Sequence, residues 1–211
     1  MKFLNFDRVL CLSPHPDDVE YGMAGTILKF PATWFDLLSL TYGGDFDLST
    51  KPSRRHEITN FWDESACSNV GLHFSPYSKL KEIDTAAWIN YIETEFVKKF
   101  QYDAIFVPPS QDSHFEHVTV SPFGFALTRT SPISVIEYCS PSVLETWIPN
   151  LYVDVLDTLE KKSQCLRTFE SQKDRTYFNR EAIVYFHFHY PLVKRGLSRV
   201  ERYRVLQHIV K

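Results

Sequence analysis

Short unbroken apolar runs alternate along the chain with longer stretches whose apolar residues recur every three or four positions. Residues 8–12 (RVLCL) make the first run, rich in strand formers and short enough for a buried strand. Residues 19–30 carry an apolar stripe through Val19, Met23, Ile27 and Phe30, which predicts a helix. A second strand is expected over 34–40, closed by a Gly43-Gly44 turn. Helices are expected over 58–70 and 85–100, the latter with Trp88, Ile92 and Phe96 four residues apart. Residues 104–107 (AIFV) read as a third buried strand ended by Pro108-Pro109, and strands follow at 134–138 and 152–155. The stretches 159–170 and 181–194 read as helical, and 198–210 fits a last helix or a strand and a helix. Alternation of this kind predicts an α/β fold, a mostly parallel sheet covered by helices on both faces.

Composition narrows the class. The chain has 211 residues, 44% hydrophobic and 23% charged, which is enough for a core that needs no disulfide or structural metal. No repeat, low-complexity stretch or Gly/Ser linker divides it, so one domain over 1–211 is the expectation. A net charge of −3 from 23 basic and 26 acidic residues is too balanced for a general nucleic-acid binder. No apolar run reaches the ~20 residues of a transmembrane helix, and the first residues lack the pattern of a signal peptide. Cys11, Cys67, Cys139 and Cys165 are scattered, with no metal or redox spacing, as suits a reducing compartment. A cytoplasmic protein is the expectation, with a homo-oligomer compatible.

Two clusters carry chemistry. Pro14-His15-Pro16-Asp17-Asp18 falls between the first strand and the first helix, outside a strand's carboxyl end, where open α/β sheets bind ligands. His15 and Asp18, three residues apart on a tight loop, can reach one divalent ion, while Asp17 between them stays unbound and can act as a base. The plainer reading, an aspartate capping the helix, leaves His-Pro unexplained. Asp112-Ser113-His114-Phe115-Glu116-His117 follows the third strand, again at a carboxyl end. His114 and His117 at i, i+3 share one helix face, so both can approach a metal, or one can bind it while the other meets substrate. His15, Asp18 and His117 form a His₂-carboxylate set with an open position, a catalytic rather than structural zinc pattern; Fe²⁺ and Mn²⁺ also accept these ligand types. His187 and His189, two apart, point to different sides of a helix and read as core or capped residues. Nine basic against three acidic residues from Lys173 to Lys211 read as solvated surface, with an anion subsite as the minority alternative. Tyr21, Trp62, Tyr138 and Trp147 read as core, with a sugar-stacking wall as the alternative.

The sequence HPDDVEYGMAGTI resembles the opening motif of the LmbE-like, PIG-L-type deacetylases. Thr41 to Gly44, Arg54-Arg55-His56-Glu57, Asp112-x-His114-x-x-His117, EYCSPS, Ile148-Pro149-Asn150, Tyr152-Val153-Asp154, Lys161 through Ser171-Gln172, and Arg195-Gly196 with Glu201-Arg202-Tyr203 follow in that family's order. The resemblance implies a Rossmann-like fold and zinc-dependent removal of an N-acetyl group from an amino sugar or glycoconjugate. It puts His15, Asp18 and His117 on the metal ligands, Asp17 on the general base and His114 on the oxyanion-stabilising histidine. Arg54 or Arg55 falls on the substrate-binding arginine. Glu116 stands where the family often has Asp, and the stretch from Glu57 to Gly71 is longer than usual. Two other functions remain to be weighed: an inactive carbohydrate-binding protein on the same fold, and a metallohydrolase of another amide or ester.

Overall fold

The computed structural model describes residues 1–43, 54–129, 131–193 and 195–210; Gly44 of the expected turn and Lys194 at the expected helix end lie outside them. Seven strands form one sheet: β1 (Arg8–Ser13), β2 (Trp34–Ser39), β3 (Val70–Phe74), β4 (Ala104–Val107), β5 (Ser134–Tyr138), β6 (Leu151–Asp154) and β7 (Val200–Gln207). Their order is β3-β2-β1-β4-β5-β7-β6. The first five run parallel, and β7 pairs antiparallel with both β5 and β6. The helices are α1 (Asp18–Lys29), α2 (Arg54–Ser65), α3 (Thr85–Ile92), α4 (Phe115–Val120), α5 (Phe123–Thr128), α6 (Leu159–Cys165), α7 (Arg180–Phe186) and α8 (Tyr190–Val193).

The central strands read as continuous apolar runs because both faces are covered. Val9 and Cys11 of β1 pack with Val19, Met23 and Ile27 of α1 and with Phe61 and Trp62 of α2. Leu10 and Leu12 point the other way, toward Trp88 and Ile92 of α3 and Phe123 and Leu127 of α5. Fully burying one such leucine contributes about 1.5–3 kcal/mol. Gly22 lets α1 press onto the end of β5: a Cβ there would stand 2.7 Å from the Cys139 carbonyl oxygen.

The differences from the sequence reading have local causes. The helix expected over 58–70 starts at Arg54 and stops at Ser65, and Val70 opens the half-buried edge strand β3. The helix expected over 181–194 breaks after Phe186, where buried His187 turns inward to the Lys162 ammonium, 2.9 Å away. The 198–210 stretch holds strand β7 and, among the described residues, no helix.

Beneath the sheet's amino ends, Asp36 gathers four donors: Arg8 Nε at 2.5 Å, His73 Nε2 at 2.9 Å, Tyr102 Oη at 3.0 Å and Trp34 Nε1 at 3.1 Å. Burial alone would raise its pKa, but the bonds from His73 and Arg8 outweigh that and hold it well below the usual carboxylate range. A depressed folded-state pKa stabilises the fold above the unfolded value, near 3.9, and that contribution is lost as pH falls below it. Asp36→Ala is therefore expected to cost about 3 kcal/mol at pH 7. Urea denaturation from pH 7 to pH 3 should show the gap to wild type begin to narrow, by about 1 kcal/mol, at the acid end; a constant gap would show that the charge plays no part.

Candidate active site

Parallel strands β1 and β4 are neighbours, and the chain leaves β1 toward β2 on one side while β4 lies on the other. The two clusters therefore meet at the switch point of the sheet, where a crevice opens outside the strand ends. A cavity of about 490 Å³ lies there, with His15, Asp17, Asp18, Arg54, His114 and His117 in its wall.

The loop after β1 is built to hold its carboxylates still. Asp17 precedes α1 with φ of 132°, a conformation that costs on the order of 1–3 kcal/mol. Its side chain makes no cap bond to the helix. The carboxylate is instead buried and ion-paired with Arg54, whose other terminal nitrogen donates to the Gly43 carbonyl at 2.8 Å. Gly43 has φ of 86°, and a side chain there would collide with the Arg54 guanidinium. Burial pushes Asp17 above the usual carboxylate range; Arg54 pulls the other way, and neighbouring Asp18 adds to the rise.

Asp18 lies between two imidazoles. Its Oδ2 accepts from the His15 backbone N–H at 2.8 Å and stands 3.1 Å from His15 Nδ1, while Oδ1 stands 3.1 Å from His117 Nε2. His117 Nδ1 pairs with Asp112 Oδ2 at 2.9 Å. That pairing directs Nε2 to Asp18, in the manner of carboxylate-oriented metal-binding histidines. Ser140 Oγ and the His114 backbone N–H, the latter at 2.7 Å, also donate to Asp112. Burial would raise Asp112, but the bonds from His117 and Ser140 bring it down to about 2. His15 Nε2 contacts Glu116, the residue that departs from the family pattern.

His114 sits just before α4 and is exposed. Its Nδ1 accepts the Glu116 backbone N–H at 3.3 Å, which leaves the ring proton on Nε2. Partial desolvation of the ring, and then the positive charge of His15 and His117, lower its pKa from the ordinary value. The rings of His114 and His117 stack at 4.6 Å.

The donor set fits a divalent cation. One nitrogen each from His15, His114 and His117 lie within 4.8 Å of one another, and the buried Asp18 carboxylate joins two of the three rings. Burial disfavours charge on these imidazoles, yet Asp18 outweighs it and raises His15 to about 9 and His117 to about 10.

The two arginines part company. Arg54 enters the cavity wall, whereas Arg55 turns its guanidinium over the Tyr42 ring at 3.7 Å and bonds the Ser75 carbonyl. Of the aromatic residues read as core, Tyr21, Trp62, Tyr138 and Trp147 are all buried, and Tyr21 also touches the cavity. His187 is buried against Lys162, and the His189 ring lies 5.0 Å from that of Tyr152. Gln172, Arg175, Tyr177 and Phe178 complete the wall from short turns before α7. Only Gln172 was singled out in the sequence, within the family motif; the other three have no local signal, since they lie over 150 residues from the PHPDD loop.

The chain thus has a mostly parallel α/β sheet with a His/Asp cluster at its switch point, a candidate metal site. No family model matches the chain. A curated relative, diacetylchitobiose deacetylase of Thermococcus kodakarensis, is 25% identical over 201 residues, covering 81% of this chain and 72% of its own. Two solved structures share the fold. N,N'-diacetylchitobiose deacetylase from Pyrococcus horikoshii matches with a TM-score of 0.78 at 21% identity, over 97% of this chain and 85% of that one. GalB, the 4-carboxy-2-hydroxymuconate hydratase from Pseudomonas putida, matches with 0.72 at 14% identity, over 100% and 98%. The chain resembles the LmbE-like, PIG-L-type deacetylases in its sequence motifs and shares the fold of these deacetylases.

Proposed function

We propose that the protein is a zinc-dependent hydrolase that removes the N-acetyl group from an amino sugar or glycoconjugate. The observation that carries this reading is the convergence of Asp17, Asp18, His15, His114 and His117 on one cavity, in a chain whose curated relative is a diacetylchitobiose deacetylase. His15, Asp18 and His117 would hold the ion, and His114, the third member of the three-nitrogen group, would face the substrate. When bound, the ion supplies Lewis acidity that makes water a nucleophile near neutral pH.

The remaining work falls to the protein. Asp17 takes the proton from the attacking water at a carboxylate oxygen and returns it to the departing amine. Arg54 fixes that carboxylate against the Gly43 turn, so the base does not swing toward Asp18. His114 offers its Nε2–H to the carbonyl oxygen as negative charge develops there. Asp112 positions His117 and leaves its Nε2 facing Asp18. Four free cysteines among the described residues fit a cytoplasmic setting, and no described helix is long and apolar enough to cross a membrane.

GalB shows that this fold also hosts a hydratase. A panel should therefore pair N-acetyl amino sugars with unsaturated dicarboxylic acids, using protein loaded in turn with Zn²⁺, Fe²⁺ and Mn²⁺. Release of one acetate per amine formed, highest with zinc, is expected. Hydration of a carbon–carbon double bond without acetate release would replace the reading.

A further inference from the structure

His15 and His117 each turn one ring nitrogen toward Asp18 and the other away from it. His117 stands with Nε2 3.1 Å from Asp18 and Nδ1 2.9 Å from Asp112. His15 uses the opposite nitrogens: Nδ1 stands 3.1 Å from Asp18, and Nε2 meets Glu116. Each ring is therefore held between the shared carboxylate and an outer one. Asp112 lies five residues from the ring it backs, whereas Glu116 reaches a ring 101 residues away. Its contact ties the loop after β1 to the first turn of α4.

The outer nitrogen decides what the inner one can do. A proton held on Nε2 leaves Nδ1 with its lone pair, the form in which an imidazole binds a metal. With nothing on Nε2, the ring is free to turn and to take the other tautomer. Reach matters as much as charge. An aspartate at 116, the residue the family often has, would end one carbon–carbon bond, about 1.5 Å, short of the His15 ring. Glu116 carries little of the fold. The buried residues of α4 are His117 and Val120. The Glu116 side chain is 31% exposed, in the wall of both the active-site cavity and a neighbouring cavity of about 550 Å³.

We propose that Glu116 is a positioning residue of the metal site: it fixes the tautomer and orientation of His15 through Nε2, as Asp112 does for His117, and its extra methylene is what lets it reach. The proposal rests on the reading of His15, Asp18 and His117 as metal ligands. Glutamate in place of aspartate is then a requirement of this site, and restoring the shorter acid should harm it.

Zinc affinity, measured on the full chain by competition with a chromophoric chelator, tests this. Glu116→Ala and Glu116→Asp should each weaken zinc binding by about 10–100-fold, the usual effect of losing the outer partner of a metal-binding histidine. Glu116→Gln keeps the length and an oxygen that accepts the Nε2 proton, and should bind more tightly than either. Saturating Co²⁺ reads the donor set: its visible absorption should keep the wild-type intensity in all three variants, because the ligands are unchanged. Urea midpoints of the metal-free variants should match that of the metal-free wild type. Wild-type zinc affinity in Glu116→Ala or Glu116→Asp would overturn the proposal, as would a glutamine variant no better than the alanine one. A changed cobalt absorption would make Glu116 a ligand instead, and a weaker affinity matched by a lower urea midpoint would make it a structural residue. Wild-type protein that takes up neither ion removes the metal reading and the proposal with it; wild-type uptake that the variants leave unchanged removes the proposal alone.

Discussion

Asp17→Asn is expected to keep its metal and lose about 10²–10⁴-fold in kcat, the usual contribution of a general base. The amide preserves the size and hydrogen-bonding reach of the carboxylate, so the loop before α1 should hold its shape. What disappears is the proton-accepting oxygen in a buried position that already lifts the acid's pKa toward the working range. Arg54 loses its charge partner at the same time. Metal content by mass spectrometry and kcat on an N-acetyl sugar, measured on one preparation, separate the two effects. Loss of the ion together with activity would make Asp17 a ligand; near-wild-type turnover with full metal would remove it from the mechanism.

The second large effect divides the histidines. His117→Ala should empty the site, because an open catalytic zinc has only three protein ligands. Loss of a ring that Asp112 orients toward Asp18 also leaves Asp112 and Asp18 facing each other without the cation between them. His114→Ala should retain the ion and lower kcat by about 10²–10³-fold, as for removal of one oxyanion donor. The basis is the Glu116 backbone N–H on its Nδ1, which commits Nε2 to carrying a proton. The three-histidine convergence gives the competing outcome: if His114→Ala loses the metal and His117→Ala keeps it, the roles are exchanged.

The site could be read from the sequence where its residues were adjacent and sat on strands of unambiguous pattern. RVLCL and AIFV are buried on both faces, so their apolar runs are unbroken and their carboxyl ends are easy to place. PHPDD and DSHFEH follow those ends directly. What pattern could not supply is the pairing of distant polar groups. In β7 the face toward the core carries Glu201 beside Tyr203, and Glu201 is fully buried because Lys162 meets it at 2.6 Å and Thr26 and Tyr203 bond it. A charged residue at a core position breaks the alternation that marks a strand, so the pattern over 198–210 fits a helix, or a strand and a helix, as well as the strand that forms. Edge strand β3 (VGLHF) is half-buried throughout and carries no strong alternation, so the preceding helix pattern ran into it. Arg54 and Arg55 are neighbours of one type, and only the fold separates the one that meets Asp17 from the one that covers Tyr42. Arg175 and Tyr177 reach the cavity from turns with no regular period at all.

If water is added across an amide carbonyl of an N-acetyl sugar in the cavity between β1 and β4, an oxygen of the solvent ends in the acetate. Turnover in ¹⁸O-labelled water, with mass analysis of the products, tests it most directly. Acetate carrying one ¹⁸O, in equal amount to an unlabelled free amine, is expected, formed about 10²–10⁴-fold more slowly by Asp17→Asn. Metal-loaded protein that releases no acetate from any N-acetyl sugar, or releases it without the label, would contradict it.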